Sequence, residues 1–399
     1  MLRHTQHKIA THHQNPDGRI FSWLSLITAI GNGIFFTIFP IILFDKLKNE
    51  SLVGYYYSAI AVVILFACVY STVLFQRYSR VLIAKVALIG TAIVLFTMTL
   101  LEQVWSLGGL DIIRNISIIT LGMTLSIFID DFTERKNLAK AEGKFYMFNN
   151  IGFLIGPILG GYSAKYFGDS SIFILAGFFY VIALFVFLYQ HIYQKNPQIT
   201  HGKHEEGIRE LFSNIKKFFR NKEFRKVFIV ALGLNYWWAV SLIYIPLEIK
   251  NLGFGDNIVG WVVAATAIPL ILFERNTGRF ADKHGIRLPV TLGFSLLIFF
   301  ILSFPLLYFK PILALIAFAV VNFGAAWIEP LQETYFFKVA KKEEREKLFG
   351  IYNAAQPLSS IISPFLGGFL YFLGGSKGLW FGTAGFLLFF VYNALRIKK

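Results

Sequence analysis

An all-α membrane fold, with twelve transmembrane helices in two pseudo-symmetric six-helix bundles, is predicted by three features of this 399-residue chain. The chain is 56% hydrophobic and only 15% charged, where soluble globular domains average about 25% charged. Its apolar residues gather into runs long enough to cross a bilayer core, which takes roughly 20 helical residues. The first half also matches the second without a gap. In that register Arg80 falls on Arg287, Gly143 on Gly350, Pro157 on Pro364, Leu159 on Leu366, Gly160-Gly161 on Gly367-Gly368 and Gly168 on Gly375. A duplicated six-span unit is a transporter's sequence signature, and it puts the working site between the halves near the bilayer midplane.

The runs fall near 20–43, 52–76, 81–101, 106–128, 144–167, 170–193, 224–249, 256–275, 286–309, 311–334, 346–373 and 376–396. Residues 1–19 precede them as a polar cytoplasmic tail carrying His4, His7, His12 and His13. Residues 20–193 form the first bundle, 194–223 a linker and 224–396 the second bundle. In span 1, Ser25, Thr28 and Asn32 make a polar stripe. The single cysteine, Cys68, lies in span 2 and excludes an internal disulfide. Span 1 lacks a small-residue cleavage site and is read as a retained helix.

Charges inside a membrane are costly and point to function. Span 4 carries Asp111 and Arg114, whose i, i+3 spacing puts them on one face, where they can pair. A structural salt bridge and a role in the transport pathway both remain open for this pair. Span 5 reads GFLIGPILGG at 152–161. Gly152, Gly156, Gly160 and Gly161 lie near one helical stripe beside Pro157, a pattern that lets another helix approach closely and bends the span.

The linker is patterned. Ile208, Leu211, Phe212, Ile215, Phe218 and Phe219 recur at helical spacing, with Arg209, Lys216, Lys217 and Arg220 on other faces. This is a basic amphipathic helix lying on the membrane surface and tethering the halves. Span 7 offers Asn235 and Trp238 one turn apart. Between spans 8 and 9, GRFADKHGIR at 278–287 reads as a tight cytoplasmic turn built on Gly278 and Gly285. There Asp282, among Arg279, Lys283 and Arg287, can latch neighbouring helices through charge-assisted hydrogen bonds. Span 10 carries Asn322, Glu329 and Glu333 on one face. Glu329 precedes Pro330, so the helix is locally open at a carboxyl able to hold a proton near neutral pH. Glu333, nearer the inner surface, belongs with the latch.

The net charge of +15 suggests nucleic acid, but its distribution does not. With both termini cytoplasmic, 31 of the 38 basic residues fall on the inner side, 6 on the outer side and one, Arg114, within a span. That is the positive-inside pattern. The basic face suits anionic lipid headgroups.

Through the span-5 sequence and the 278–287 loop, the chain resembles the major facilitator superfamily. The loop is similar to that family's Gly-x-x-x-Asp-x-x-Gly-x-Arg motif. Span 5 resembles its Gly-x-x-x-Gly-Pro-x-x-Gly-Gly motif, associated there with proton-driven antiporters, and FFRNKEFRKVF at 218–228 looks like its entry into span 7. In the family the loop motif is clearest between spans 2 and 3. Here that register puts Ser71 opposite Gly278 and Phe75 opposite Asp282. The resemblance implies a cavity lined by spans 1, 4, 7 and 10, and it ties an Arg in span 4 to proton coupling. It also implies a monomer in the cell membrane that moves a small-molecule substrate by alternating access, with protons as the coupling ion and export as the direction. An uptake symporter or facilitator for a sugar, acid or peptide is the alternative, and a non-transporting receptor a further one. Enzymatic chemistry is not expected, since no HExxH, Gly-x-Ser-x-Gly or phosphate-binding Gly-x-x-x-x-Gly-Lys-Ser/Thr occurs. No cofactor or metal is expected.

Overall fold

The computed structural model describes residues 19–132, 138–189, 208–341 and 345–397, of which 19, 67–77, 127, 130–132, 138–143, 208–212, 274–275, 282 and 345–347 are described by their backbone alone. The histidine-bearing tail and the first part of the linker lie outside them. The described chain is all helix and turn, with no strand.

The first half runs as α1 (Arg19–Leu47), α2 (Glu50–Arg77), α3 (Arg80–Met98), α4 (Val104–Phe132), α5 (Leu138–Phe167) and α6 (Ser171–Tyr189). Several hydroxyls inside these helices are satisfied within their own helix. The hydroxyls of Thr28, Thr37, Thr91, Thr120 and Thr124 each donate to the carbonyl four residues back, which hydrocarbon surroundings demand. Ser79 caps α3 by accepting from the Leu82 amide at 3.2 Å.

The linker helix α7 (Ile208–Arg220) forms as the amphipathic pattern predicts. It docks through Phe218, fully buried and stacked 4.9 Å from Phe224. Asn221 then caps α8 (Lys222–Asn251) by accepting from the Glu223 amide at 2.9 Å.

The second half is more broken than its apolar runs predict. Span 8 is two helices, α9 (Asp256–Ala265) and α10 (Ile268–His284), the second opening on Pro269. After α11 (Arg287–Leu307), span 10 divides into α12 (Pro311–Val320), α13 (Phe323–Ala326) and α14 (Glu329–Val339). Pro330 lacks an amide hydrogen and sits in the first turn of α14, where proline is tolerated. The last pieces are α15 (Arg345–Asn353) and α16 (Ala355–Leu395); α16 contains a break at Gly374 and Gly375 that divides it into two spans.

Among the described residues, nine stretches are long and apolar enough to cross a membrane. They match the predicted spans except at α2, where the apolar stretch Glu50–Phe66 is shorter, at α5, and at α16, which holds two spans in one stretch. The repeat survives in backbone conformation: Gly168 and Gly375 both take left-handed φ, +82° and +59°. A side chain is strained there, so glycine recurs.

The predicted tight turn over 278–287 needs correction. Gly278 to His284 complete α10 as regular helix, and only Gly285, at φ +79°, turns the chain. Lys283 and His284 end the helix where its partial negative charge favours cations.

Helix α1 packs on α5 and α6, α3 on α4 and α6, and α16 on α8 and α11. Two seams join the halves, α2 against α16 and α5 against α9. Helix direction alternates, so the described chain ends and α7 share one face, here the termini face. The loops 47–50, 167–171 and 251–256 lie on the other, the far face.

Candidate functional site: a central cavity between the halves

A cavity of about 270 Å³ opens where α1 and α5 meet α8, α9, α10 and the breaks in span 10. Its wall holds Phe36, Thr37, Asn149 and Asn150 from the first half and Trp238, Thr266, Asn322 and Glu329 from the second. The broken helices shape it. The Thr266 carbonyl, released at the α9–α10 break, accepts from Asn322 Nδ2 at 3.0 Å. Asn322 Oδ1 in turn accepts from Trp237 Nε1 at 2.8 Å. A backbone group that would be orphaned in an apolar interior is thereby satisfied. From the next residue of α8, Trp238 Nε1 donates to Glu329 Oε2 at 2.9 Å. The lining is therefore aromatic and amide-bearing, with a carboxyl from the first residue of α14.

Trp238, Asn322 and Glu329 thus meet at one cavity, but not on one continuous helical face: span 10 is broken between Asn322 and Glu329, and Glu333 does not join them. Asn235 does not either; its amide donates to the Ala231 carbonyl of its own helix at 2.9 Å. The adjacent amides Asn149 and Asn150 were missed. Two Asn side by side in an apolar span were the available signal. Asn149 Nδ2 donates to Ser25 Oγ at 3.1 Å, tying α5 to the polar stripe of α1.

Asp111 and Arg114 form a second constellation behind this wall, 0% and 1% exposed. Arg114 Nε donates to Asp111 Oδ1 at 3.0 Å, and Nη2 lies 3.0 Å from the same oxygen. Asn115 donates to that oxygen at 2.9 Å, and Tyr56 OH donates to Oδ2 at 3.2 Å. Arg114 Nη1 reaches Asn32 Oδ1 at 3.4 Å, and its guanidinium sits 3.6 Å from the Phe35 ring centroid and 5.0 Å from that of Phe36. Phe36 lines the cavity as well, so one ring separates the ion pair from it. The sequence supplied Asn32, Asp111 and Arg114 but not Tyr56, whose partner is 55 residues away.

The span-5 glycines divide their work. Gly152, Gly156 and Gly160 face α1; a Cβ on Gly156 would lie 2.5 Å from the Ile30 carbonyl oxygen. Gly161 and Pro157 face α9 across the seam, against Asp256 and Gly260. The repeat reproduces this. Gly367 abuts Tyr244 within the second half, while Gly368 abuts Ser51 across the other seam. Each seam also has a partner glycine, Gly54 opposite Pro364 and Gly368, and Gly260 opposite Pro157 and Gly161.

Polar bonds close the α2–α16 seam toward the far face. Asn251 Nδ2 donates to Glu50 Oε1 at 3.2 Å, Tyr371 OH to the same oxygen at 3.3 Å, and Ser58 Oγ to the Ile361 carbonyl at 2.6 Å. In the expected latch, Arg279 is exposed inside α10, Arg287 is half-buried at the start of α11, and Glu333 lies on α14 outside the cavity wall. The Asp282 side chain lies outside the described residues.

The model of the Major Facilitator Superfamily matches residues 21–255 and 236–397. The chain belongs to the major facilitator superfamily. Among curated proteins it is 23% identical over 363 residues to multidrug resistance protein 1 of Bacillus subtilis (strain 168), covering 90% of each chain. It is 24% identical to the class H tetracycline resistance protein of Pasteurella multocida, covering 87% of each. Its fold superposes on the crystal structure of the nucleoside transporter NupG with a TM-score of 0.75 at 13% identity, covering 96% of this chain and 99% of the other. Membership makes this a membrane transporter rather than an enzyme.

Proposed function

We propose that this chain is a secondary transporter that exports small, amphipathic organic cations in exchange for protons, by rocking its two six-helix bundles about the central cavity. Glu329 carries the proposal. It is a carboxyl in an aromatic, amide-lined cavity between the halves, and Trp238 donates a hydrogen bond to it. A carboxylate favours an organic cation, and aromatic faces add cation–π attraction. The same group is neutralised by a proton when the cation leaves, so one site serves both in alternation. Relatives named for multidrug and tetracycline resistance support export over the sugar and peptide alternatives.

Arg114 and Asp111 set the field behind the wall without touching the solute. The closed far face, with seams at α2–α16 and α5–α9, corresponds to one end of the alternating cycle, and Arg279, Asp282, Arg287 and Glu333 latch the other. The basic loops support a cytoplasmic termini face, with α7 against anionic headgroups and the protein acting as a monomer.

The test is transport by the purified protein in proteoliposomes carrying an imposed pH gradient, with ethidium as the solute. Gradient-driven accumulation abolished by a protonophore is expected. A flux indifferent to the pH gradient would contradict proton exchange.

A further inference from the structure

A second buried carboxyl lies away from the cavity. Glu248 ends α8 near the far face and is 1% exposed. Its Oε2 accepts hydrogen bonds from Tyr308 OH, at the end of α11, and from Ser376 Oγ at 2.7 Å, just past the break in α16. Trp380 Nε1 donates to Tyr308 OH at 2.9 Å, completing a network across three helices. Glu248 Oε1 is buried with no hydrogen-bond partner among the described residues. Neither Trp238 nor Glu329 takes part, and Glu248 does not line the cavity.

Cations near this end of the fold are engaged or turned away. Lys250 pairs with Asp256 at 2.6 Å, Lys48 lies 3.6 Å from Asp45, and Lys46, Lys377 and Lys310, two residues past Tyr308, are exposed. From α16, Tyr371 also faces Glu248. The charged group that bears on it is Glu50, of like sign, on α2 in the opposite half. Glu50 is the acceptor for Tyr371 and Asn251 in the bonds that close the far face.

We propose that Glu248 is a second proton-binding site, separate from the cavity, and that release of its proton to water on the far side opens the far face. In the closed packing a neutral carboxyl is tolerated with one oxygen unpartnered, whereas a buried carboxylate without a cation is far more costly. Ionisation also sets Glu248 against Glu50 across the α2–α16 seam, and like charges on its two sides push it apart. Water entering the opened seam then solvates both. The site rests on the proton-exchange proposal only for its place in the cycle; binding and opening are measured without a solute.

The experiment places spin labels at Lys48→Cys and Lys310→Cys, on far-face loops of opposite halves, in a Cys68→Ala background in lipid nanodiscs. The wild-type distance should lengthen as pH rises. Glu248→Gln, a permanent mimic of the neutral acid, should hold the short distance at every pH, while Glu248→Asp should keep a pH response. Infrared difference spectra across the same range should show a carboxyl band that Glu248→Gln removes and Glu329→Gln leaves. A Glu248→Gln protein that opens along the wild-type curve overturns the proposal, as does a wild-type spectrum with no band assignable to Glu248. Should the Gln variant fail to fold, a band shifted in Glu248→Asp supports the site, and an unshifted one overturns it. A protein that responds at Glu248 yet moves no solute against a pH gradient would sink the transport proposal and leave this site standing.

Discussion

Gly54→Ala perturbs one seam and nothing else. The three atoms nearest a Cβ there all belong to the opposite half: the Tyr244 hydroxyl, the Pro364 carbonyl oxygen at 2.5 Å and the Gly368 Cα at 3.2 Å. Comfortable non-bonded separation is about 3.5 Å, so α2 and α16 must part by about 1 Å. Backbone oxygen cannot swing aside, and overpacking of this kind costs about 1–3 kcal/mol. Only the closed far face bears that cost, so the equilibrium shifts toward opening by about 5- to 150-fold. Alanine within a helix also gains about 1 kcal/mol over glycine in both states, so thermal stability should change little. The assay is labelling of Thr37→Cys, on the cavity wall, by an impermeant maleimide offered from the far side of a Cys68→Ala protein. The rate should rise at least about fivefold. Gly109→Ala, which meets nothing within 4 Å, should leave it unchanged. An unchanged rate in Gly54→Ala, or a lowered melting temperature without faster labelling, would refute a seam that opens.

Two further outcomes follow from the buried and half-buried acids. Asp111→Asn leaves Arg114 charged and buried, which should cost about 3–5 kcal/mol, whereas Asp111→Asn with Arg114→Met should recover most of it; thermal unfolding in detergent measures both. At the far-face loop, burial, and then the neighbouring carboxylates of Asp256 and Asp45, push the Asp169 carboxyl above its usual range. An acid raised on folding is destabilising when ionised, so its penalty is absent at acid pH and grows as pH rises through the folded value. Asp169→Asn should therefore match wild type near pH 4 and melt higher at pH 8; a difference that shrinks with pH would contradict the assignment.

The helices and the duplication were legible because both are written in local pattern. Membrane-length apolar runs leave the backbone no option but helix, and Gly168 and Gly375 recur because both turns take positive φ. Asp111 with Arg114, and Asn322 with Glu329, were legible because a charge or amide inside hydrocarbon needs a reason. The breaks at 266–267, 321–322 and 327–328 were mostly hidden, since the apolar runs continue through them and Pro269 and Pro330 each mark only a first turn. Gly278 misled because glycine was taken for a turn when its φ is helical. Tyr56, Glu248 and Tyr308 escaped because their partners come from distant helices, and the last turn of a span is polar often enough to draw no notice.

The central claim is that Glu329 exchanges a proton for the solute inside the cavity, and Glu329→Gln in proteoliposomes tests it most directly. The amide is neutral at every pH and cannot release a proton. Uphill ethidium accumulation driven by a pH gradient should be lost, while energy-independent ethidium exchange across the same membranes persists. Uphill accumulation at the wild-type rate in Glu329→Gln would contradict the claim and move the coupling to another carboxyl.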